Sequence, residues 1–414
     1  MDRSTILAFF LRGGSASAKI LFVAYLGYVD KAEVVGQFAI FSTLAILFTQ
    51  IAGFEIHQVI ARKYHSLSFG EKFKLYFLNG IASIGVYFII LPLLVVLYYD
   101  LLLSFWFLGC LVLVLEHYST ELYRFYIINL EPFKASLILF IKNVGWVIFF
   151  IFFAEFGIVR INIYNILIFW SFFVFAASFM GSPSIEIMWN GFKNIDFKNL
   201  SVDFLDILVK ARVFILVAIS ISGVTAVDKL ILERFFDFEK IGKFYFYLTI
   251  ASIPGLIVSL GIGATLWPKC IRLAAIEDNE ECEKLWRKIL KYYWVLLFFI
   301  SSIMLIILCF LAIFFHGERI NFQSLQIIFY LILAGAGMAI IEPYKLKMYI
   351  NKNDSALLFG AWLHFMMMCA FVFYAAKKSS LEYIAITMAV VNFIAFIIYK
   401  SSFLEKIINR LKNV

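Results

Sequence analysis

About twelve apolar runs divide this chain, and each is long enough to cross a lipid bilayer. A transmembrane helix needs about 20 predominantly apolar residues. Only 15% of the residues are charged and 63% are hydrophobic, whereas soluble domains carry roughly 25% charged residues. The pattern therefore predicts an all-α polytopic membrane protein. The runs cover about 5–29, 34–59, 74–99, 103–127, 133–154, 161–182, 207–232, 241–267, 290–315, 324–345, 355–376 and 380–399.

The basic residues favour one side of the predicted membrane. Most of the 36 lysines and arginines fall in alternate connections, which the positive-inside rule places in the cytoplasm. Both termini are then cytoplasmic, and the net charge of +8 reflects topology rather than nucleic-acid binding. Ala16-Ser17-Ala18 resembles a signal-peptide cleavage site, but the apolar run before Arg12 is short. We therefore interpret the first run as a retained span.

Two sequence echoes predict two six-helix halves related by a parallel pseudo-repeat, as in some transporters. Val35-Gly36-Gln37-Phe38 follows the first span, and Ile241-Gly242-Lys243-Phe244 follows the seventh. Glu121-Leu122-Tyr123-Arg124 in the fourth span matches Glu342-Pro343-Tyr344-Lys345 in the tenth. We predict an N-terminal six-helix half at 1–182, a cytoplasmic linker at 183–206 and a C-terminal six-helix half at 207–414.

Charged side chains inside the spans are the candidate functional residues. A charge near the bilayer centre costs about 2.5–3.5 kcal/mol on insertion scales, so it normally faces a protein interior or a wet cavity. Arg12 and Lys19 are seven residues apart and share one helix face. Lys142 lies in the middle of the fifth span. It either faces a cavity or forms a buried ion pair with a carboxylate such as Glu116.

Further charges lie in the fourth span and in the second half of the chain. His117, Glu121 and Arg124 share one face of the fourth span, where pairing of Glu121 with Arg124 explains both as structural groups. Glu116 lies deeper and is a candidate proton or cation site. The remaining candidates are Arg212 towards the cytoplasm, Asp228 beside Lys229, and three residues that could belong to a gate, Glu55, His57 and Glu342.

The sequence contains no motif of an enzyme active site. It has no phosphate-binding loop, no H-E-x-x-H and no nucleophile elbow. We therefore predict no catalytic residue, no metal site and no cofactor. The driving force would be an ion gradient, a substrate gradient or both.

Short motifs spread along most of the chain resemble one transporter family. They are Gly36-Gln37-Phe38, Gly53-Phe54-Glu55-Ile56-His57, Glu116-His117, Glu121-Leu122-Tyr123-Arg124, Asn143-x-Gly145-Trp146, Asp228-Lys229 and Trp267-Pro268-Lys269. With them the chain resembles the polysaccharide branch of the multidrug/oligosaccharidyl-lipid/polysaccharide (MOP) exporter superfamily, specifically O-antigen repeat-unit flippases of the Wzx type. Family members often have Asp-Arg where this chain has Asp228-Lys229, which puts a bidentate role there in doubt.

The resemblance implies a flippase of the bacterial inner membrane. Its substrate would be an undecaprenyl-diphosphate-linked oligosaccharide, moved from the cytoplasmic to the periplasmic leaflet by alternating access, with a proton or sodium ion as the coupling ion. Membrane lipids, a glycan polymerase and chain-length machinery are the other implied partners. Arg12, Lys19 and Lys142 would contact the anionic head, with Arg124 and Arg212 as weaker contacts. Coupling or gating would fall to Glu116, Asp228 and Glu342.

Two other functions stay open at this point. A cation-coupled multidrug antiporter of the same superfamily would want a carboxylate-dominated, hydrophobic cavity, which the mid-span lysines disfavour. A membrane-embedded glycan polymerase would carry a substantial periplasmic loop, but the predicted outer connections are short. Lipid II flippases are close in mechanism, although that family generally has fourteen spans.

Overall fold

The computed structural model describes residues 3–63, 69–97, 106–129, 131–182, 197–276, 278–314, 322–378 and 380–401. Within these ranges the chain is helical and contains no strand. Two π-helical turns, at Ile141–Gly145 and Ser259–Gly263, interrupt the α-helices. The α-helices are α1 (Arg3–Tyr28), α2 (Ala32–Ala52), α3 (Ile56–Lys63), α4 (Phe69–Leu97), α5 (Trp106–Ile128), α6 (Pro132–Phe140), α7 (Trp146–Glu155), α8 (Ile163–Gly181), α9 (Phe197–Leu232), α10 (Phe238–Ala251), α11 (Ile253–Val258), α12 (Ala264–Ala275), α13 (Asn279–Phe314), α14 (Phe322–Ile350), α15 (Asp354–Ala376) and α16 (Leu381–Lys400).

The helices have the length and composition of membrane spans. Nine spans in the described ranges are long and apolar enough to cross a bilayer, and the bent pair of α10 with α11 and its π-helical turn would make ten. The described part of every apolar run predicted from the sequence falls on one helix or on one interrupted series of helices. The predicted class, an all-α polytopic membrane protein, is confirmed.

Large apolar side chains cover the outside of these helices. Phe88, Phe179 and Phe298 expose 78%, 76% and 76% of their surfaces. Large exposed apolar surface is rare on soluble monomers and marks contact with lipid or a partner. Lipid tails can cover it here, because the same helices are long enough to span a bilayer.

The contacts between residues divide the chain into two compact units, Met1–Ser222 and Gly223–Val414, and the division falls inside α9. In the first unit α1 packs on α2 and α6, and α5 packs on α2, α6 and α8. In the second unit α16 packs on α14 and α15, and α14 also packs on α10 and α13. Of the linker predicted at 183–206, residues 183–196 lie outside the described ranges.

Local sequence explains where several helices begin. Asn162, Asp237 and Asn353 each precede a helix, and each side chain accepts a hydrogen bond from the backbone N–H three residues later. This capping satisfies one of the four N–H groups that a helix start leaves without a partner. Pro132 is the first residue of α6, where its missing N–H is harmless.

The second predicted run, 34–59, is broken into α2 and α3. Phe54 and Glu55 have positive φ angles of 50° each, a conformation that persists only where surrounding contacts hold it. Ser83 from α4 donates to the carbonyl of Ala52 at 2.6 Å. The break therefore depends on contacts with α4.

Candidate functional site

A cavity of about 400 Å³ lies within the first unit, among α1, α2, α5, α8 and the π-helical turn after α6. This volume falls in the range of small-molecule binding sites. We call it the lysine cavity, and it is lined by Ser15, Ala16, Lys19, Phe38, Ser42, Ala45, Ile46, Thr49, Gln50, Glu116, Thr120, Leu139, Lys142, Asn143, Trp146 and Trp170.

Lys142 forms a buried ion pair on the wall of this cavity. Its Nζ lies 2.5 Å from Glu116 Oε2, and it also donates to Thr120 Oγ1 at 3.0 Å and Ser119 Oγ at 3.3 Å. Trp170 Nε1 donates to the other carboxylate oxygen of Glu116 at 2.8 Å. The sequence left two alternatives for Lys142, a cavity-facing cation or a buried ion pair with Glu116. The structure has both, because the pair forms and both of its members line the cavity.

The π-helical turn Ile141–Gly145 positions Lys142. A π-helical turn inserts one residue into a helix and often occurs at functional sites. Gly145 permits the close packing here, because a Cβ at this position would overlap the ring of Phe173. Within the turn, Lys142 and Val144 are buried.

Lys19 of α1 brings a second cation to the same cavity. Its Nζ lies 3.3 Å from Ser42 Oγ and 5.8 Å from the ring centre of Phe38. Two lysines and the carboxylate of Glu116 are the charged side chains on the described cavity wall, and they leave one net positive charge. Such a site favours an anionic ligand over a cationic one.

Three aromatic rings form another part of the wall. Trp146 and Trp170 stack with their ring centres 5.6 Å apart and an angle of 15° between the ring planes. Phe38 lies 5.8 Å from Trp146 and 5.7 Å from Trp170. The cavity wall therefore combines buried aromatic rings with charged, amide and hydroxyl groups.

Two predicted cations lie elsewhere. Arg12 donates from Nε to Ser136 Oγ at 3.0 Å and is not among the residues that line the lysine cavity. Arg212 is exposed on α9. Neither residue contributes to the described cavity wall, and their predicted contacts with substrate stay predictions.

Arg124 organises a separate polar cluster, which we call the α5 cluster: Glu55, Asn79, His117, Glu121 and Arg124. Arg124 donates to Glu121 Oε1 at 2.7 Å and to Glu55 Oε1 at 2.9 Å. Asn79 donates from Nδ2 to Gly53 O at 3.2 Å and to Glu121 Oε2 at 3.3 Å.

The α5 cluster is joined to the lysine cavity by one residue. Arg124 Nη2 donates to Gln50 Oε1 at 3.0 Å, and Gln50 lines the cavity. Gln50 and Asn79 are not among the residues predicted from the sequence, because they carry no charge. Their amide groups inside otherwise apolar runs are the signal that would have identified them.

The remaining acidic candidates lie in the second unit. Asp228 Oδ1 pairs with Lys229 Nζ at 2.8 Å, and Lys229 also donates to the carbonyl of Thr225 at 2.5 Å. Glu342 Oε2 accepts from Ser259 Oγ at 2.9 Å and from the Tyr293 hydroxyl at 3.3 Å. Both carboxylates are engaged by neighbours within their own unit.

Solved transporter structures share this fold. The inward-facing conformation of a multidrug resistance MATE family transporter of the MOP superfamily matches with a TM-score of 0.64 and 13% identity, over 100% of this chain and 96% of that chain. The outward-facing conformation of such a transporter matches with a TM-score of 0.65 and 12% identity, over 100% and 96%. Lipid II flippase MurJ, in an inward closed conformation, matches with a TM-score of 0.65 and 16% identity, over 97% and 87%.

The sequence comparisons give no family. No protein-family model matches the chain, and no curated protein matches it. Identities of 12–16% to the solved structures establish the fold alone. These structural neighbours are transporters and flippases rather than enzymes. The chain is a multi-pass membrane protein with the fold of MATE transporters of the MOP superfamily and of the flippase MurJ.

Proposed function

We propose that this protein is a flippase for an undecaprenyl-diphosphate-linked oligosaccharide, such as an O-antigen or similar surface-glycan repeat unit. It would move this lipid from the cytoplasmic to the periplasmic leaflet of a bacterial inner membrane by alternating access. The observation that carries the proposal is the cavity with Lys19 and Lys142 on its wall, inside a fold shared with transporters of lipids and drugs.

The charge of the cavity suits a diphosphate. Crossing the membrane removes the diphosphate from water, which is costly unless cations replace the lost hydration. Two opposite unit charges 4 Å apart attract by about 4 kcal/mol at an effective dielectric constant of 20. Lysine binds phosphate as a point charge. The net positive charge on the cavity wall, with Lys19 beside the Lys142–Glu116 pair, supports binding of the anionic head.

The rest of the cavity wall suits sugars. Trp146 and Trp170 stack on each other and expose only 4% and 6% of their surfaces, so they form a rigid backing for this part of the wall. Thr49, Gln50 and Asn143 supply hydroxyl and amide groups for sugar hydroxyls. A ligand with a charged head and uncharged sugars would therefore use both parts of the wall.

A cation-coupled multidrug antiporter is the second candidate, favoured by the likeness to MATE family transporters. A cationic drug would need a net negative cavity, whereas the described wall carries more lysine than carboxylate charge. A glycan polymerase has less support, because the structural neighbours are transporters and flippases. For the flippase we also propose that both termini lie in the cytoplasm, that an ion gradient drives transport, and that a glycan polymerase and chain-length machinery act on the transported product.

A leaflet assay tests the proposal. The purified protein is reconstituted in vesicles with a fluorescent undecaprenyl-diphosphate-linked oligosaccharide, and its movement between leaflets is followed by chemical quenching. We expect Lys19→Gln to slow movement about tenfold, which corresponds to about 1.4 kcal/mol. Lys134→Gln is the matched control, since Lys134 is 60% exposed and pairs with Glu131 at the surface. It should keep the wild-type rate.

The same vesicles separate the two candidate functions. Efflux of a cationic fluorescent drug is measured beside movement of the lipid. Movement of the lipid without drug efflux supports the flippase. Drug efflux without movement of any lipid-linked oligosaccharide would instead establish the antiporter.

A further inference from the structure

We infer that the Glu121–His117 pair of the α5 cluster binds one exchangeable proton. This inference deepens the proposed function by naming a proton as the coupling ion and the pair as its site. The binding of the proton itself requires no transported substrate. It can therefore be tested separately from flipping.

The first observation is a buried imidazole nitrogen without a hydrogen-bond partner. His117 is 2% exposed. Its Nδ1 is hydrogen-bonded to the Tyr87 hydroxyl, while Nε2 has no hydrogen-bond partner among the described residues. The nearest acidic atom is Glu121 Oε1, 3.9 Å from Nε2. A proton between these two atoms gives Nε2 its missing partner, whether it is bonded to nitrogen or to oxygen, and gives Glu121 Oε1 a second partner beside Arg124.

The second observation is the charge of the cluster. Glu55 and Glu121 are two carboxylates, and Arg124 is the guanidinium that pairs with both of them. With His117 neutral, the cluster therefore carries one net negative charge in a buried site. An uncompensated buried charge is strongly unfavourable, and one bound proton removes it.

Several elements around the pair carry charged or titratable groups. Arg124 and Lys142 place positive charge near His117, and Glu55 and Glu116, which pair with them, place negative charge there. The described titratable and charged groups that face the pair are Glu55 before α3, His57 on α3, Tyr76 and Tyr87 on α4, Glu116 and Arg124 on α5, and Lys142 in the π-helical turn.

The contacts of Arg124 connect the proton to the cavity. A proton shared with the Glu121 carboxylate lowers its negative charge and weakens its charge-assisted hydrogen bond with Arg124. Arg124 then depends on Glu55, at the break between α2 and α3, and on Gln50 at the cavity wall. The protonation state can thus change the position of a residue that lines the cavity.

The binding test uses the full chain in lipid bilayers with ¹⁵N-labelled histidine. The sequence has five histidines, and the signal of His117 is assigned by its loss in His117→Gln. We expect this signal to change between about pH 5 and pH 8, the range in which a proton site must exchange its proton to respond to a physiological pH gradient. The change should be lost or shifted in Glu121→Gln. His364, which pairs with the amide of Asn392, is the matched control and should not respond to Glu121→Gln.

Two results would overturn the proton site. One is a His117 signal that stays constant over this pH range, and the other is a pH response that Glu121→Gln leaves unaltered. A change typical of imidazolium would place the proton on His117. A change typical of a neutral ring that accepts a hydrogen bond would place it on Glu121.

The coupling role has its own test in the leaflet assay. With a pH gradient across the vesicle, wild-type movement of the lipid should change several-fold, and His117→Gln should move the lipid at a rate independent of the gradient. A gradient response that persists in His117→Gln would refute the coupling role. Absence of lipid movement in the wild type at every gradient would refute the flippase while leaving the proton site supported by its spectrum.

Discussion

The Lys142–Glu116 pair should respond very differently to loss of one partner and to loss of both. The side chains of Lys142 and Glu116 are only 8% and 11% exposed. Lys142→Met leaves the carboxylate of Glu116 with the Trp170 N–H but without its cation. Breaking a buried pair in this way costs about 3–5 kcal/mol. We expect a loss of that size in the free energy of unfolding.

The double variant Lys142→Met/Glu116→Gln should recover most of that loss. It removes both charges, and the amide that replaces the carboxylate keeps an oxygen to accept from Trp170 Nε1. Replacing both members of a buried pair is often nearly neutral. The coupling energy between the two sites should therefore reach about 2–3 kcal/mol.

Unfolding by denaturant in mixed micelles measures this cycle, with the exposed Lys134–Glu131 pair as its control. That surface pair has its nitrogen and oxygen 2.6 Å apart and should give a coupling energy of only about 0.2–1 kcal/mol. A coupling energy for Lys142–Glu116 no larger than that of the surface pair would refute the reasoning. In the leaflet assay the folded double variant should move the lipid more slowly than wild type, because it lacks a cavity cation.

Two further predictions concern the elements that position the site. Gly145→Ala should lower the free energy of unfolding by about 1–3 kcal/mol through overpacking against Phe173. Phe173→Leu in the same chain should restore part of it in the same unfolding assay, and equal stability of Gly145→Ala and wild type would contradict the packing. Asn79→Leu should cost about 1–3 kcal/mol, because Gly53 O and Glu121 Oε2 lose a buried donor. Faster hydrogen exchange confined to the break between α2 and α3 would locate this effect, and unchanged exchange there would refute it.

The helices could be predicted from the sequence because the length of an apolar run is a local property. Within the described ranges the predicted runs fall on helices, and the sequence had already indicated Glu116 as a partner for Lys142. The interruptions could not be predicted in the same way. The break at 53–55 is held by Asn79 and Ser83 of α4, and the π-helical turn at 141–145 by packing against α8. Such contacts join segments that are distant in sequence.

The site was predictable in its charges but not in its grouping. The sequence identified Lys19 and Lys142 as candidates, and the structure brings both to one cavity. The sequence also predicted that Arg12 contacts the same substrate group. Arg12 instead donates a hydrogen bond to Ser136 and is not among the residues that line the cavity. Helix spacing gives the face on which a residue lies, while the neighbour that the face meets depends on tertiary packing.

The most direct test is to determine where the diphosphate-linked oligosaccharide binds. A photoreactive residue replaces Ile46 on the cavity wall or, as the control, Phe88, which is 78% exposed. We expect the labelled lipid-linked oligosaccharide to crosslink at position 46, and Lys19→Gln to reduce that yield about tenfold at limiting ligand, as a loss of about 1.4 kcal/mol would. Equal crosslinking yields at positions 46 and 88, or a yield at position 46 that Lys19→Gln leaves unchanged, would contradict binding of the anionic head in the lysine cavity.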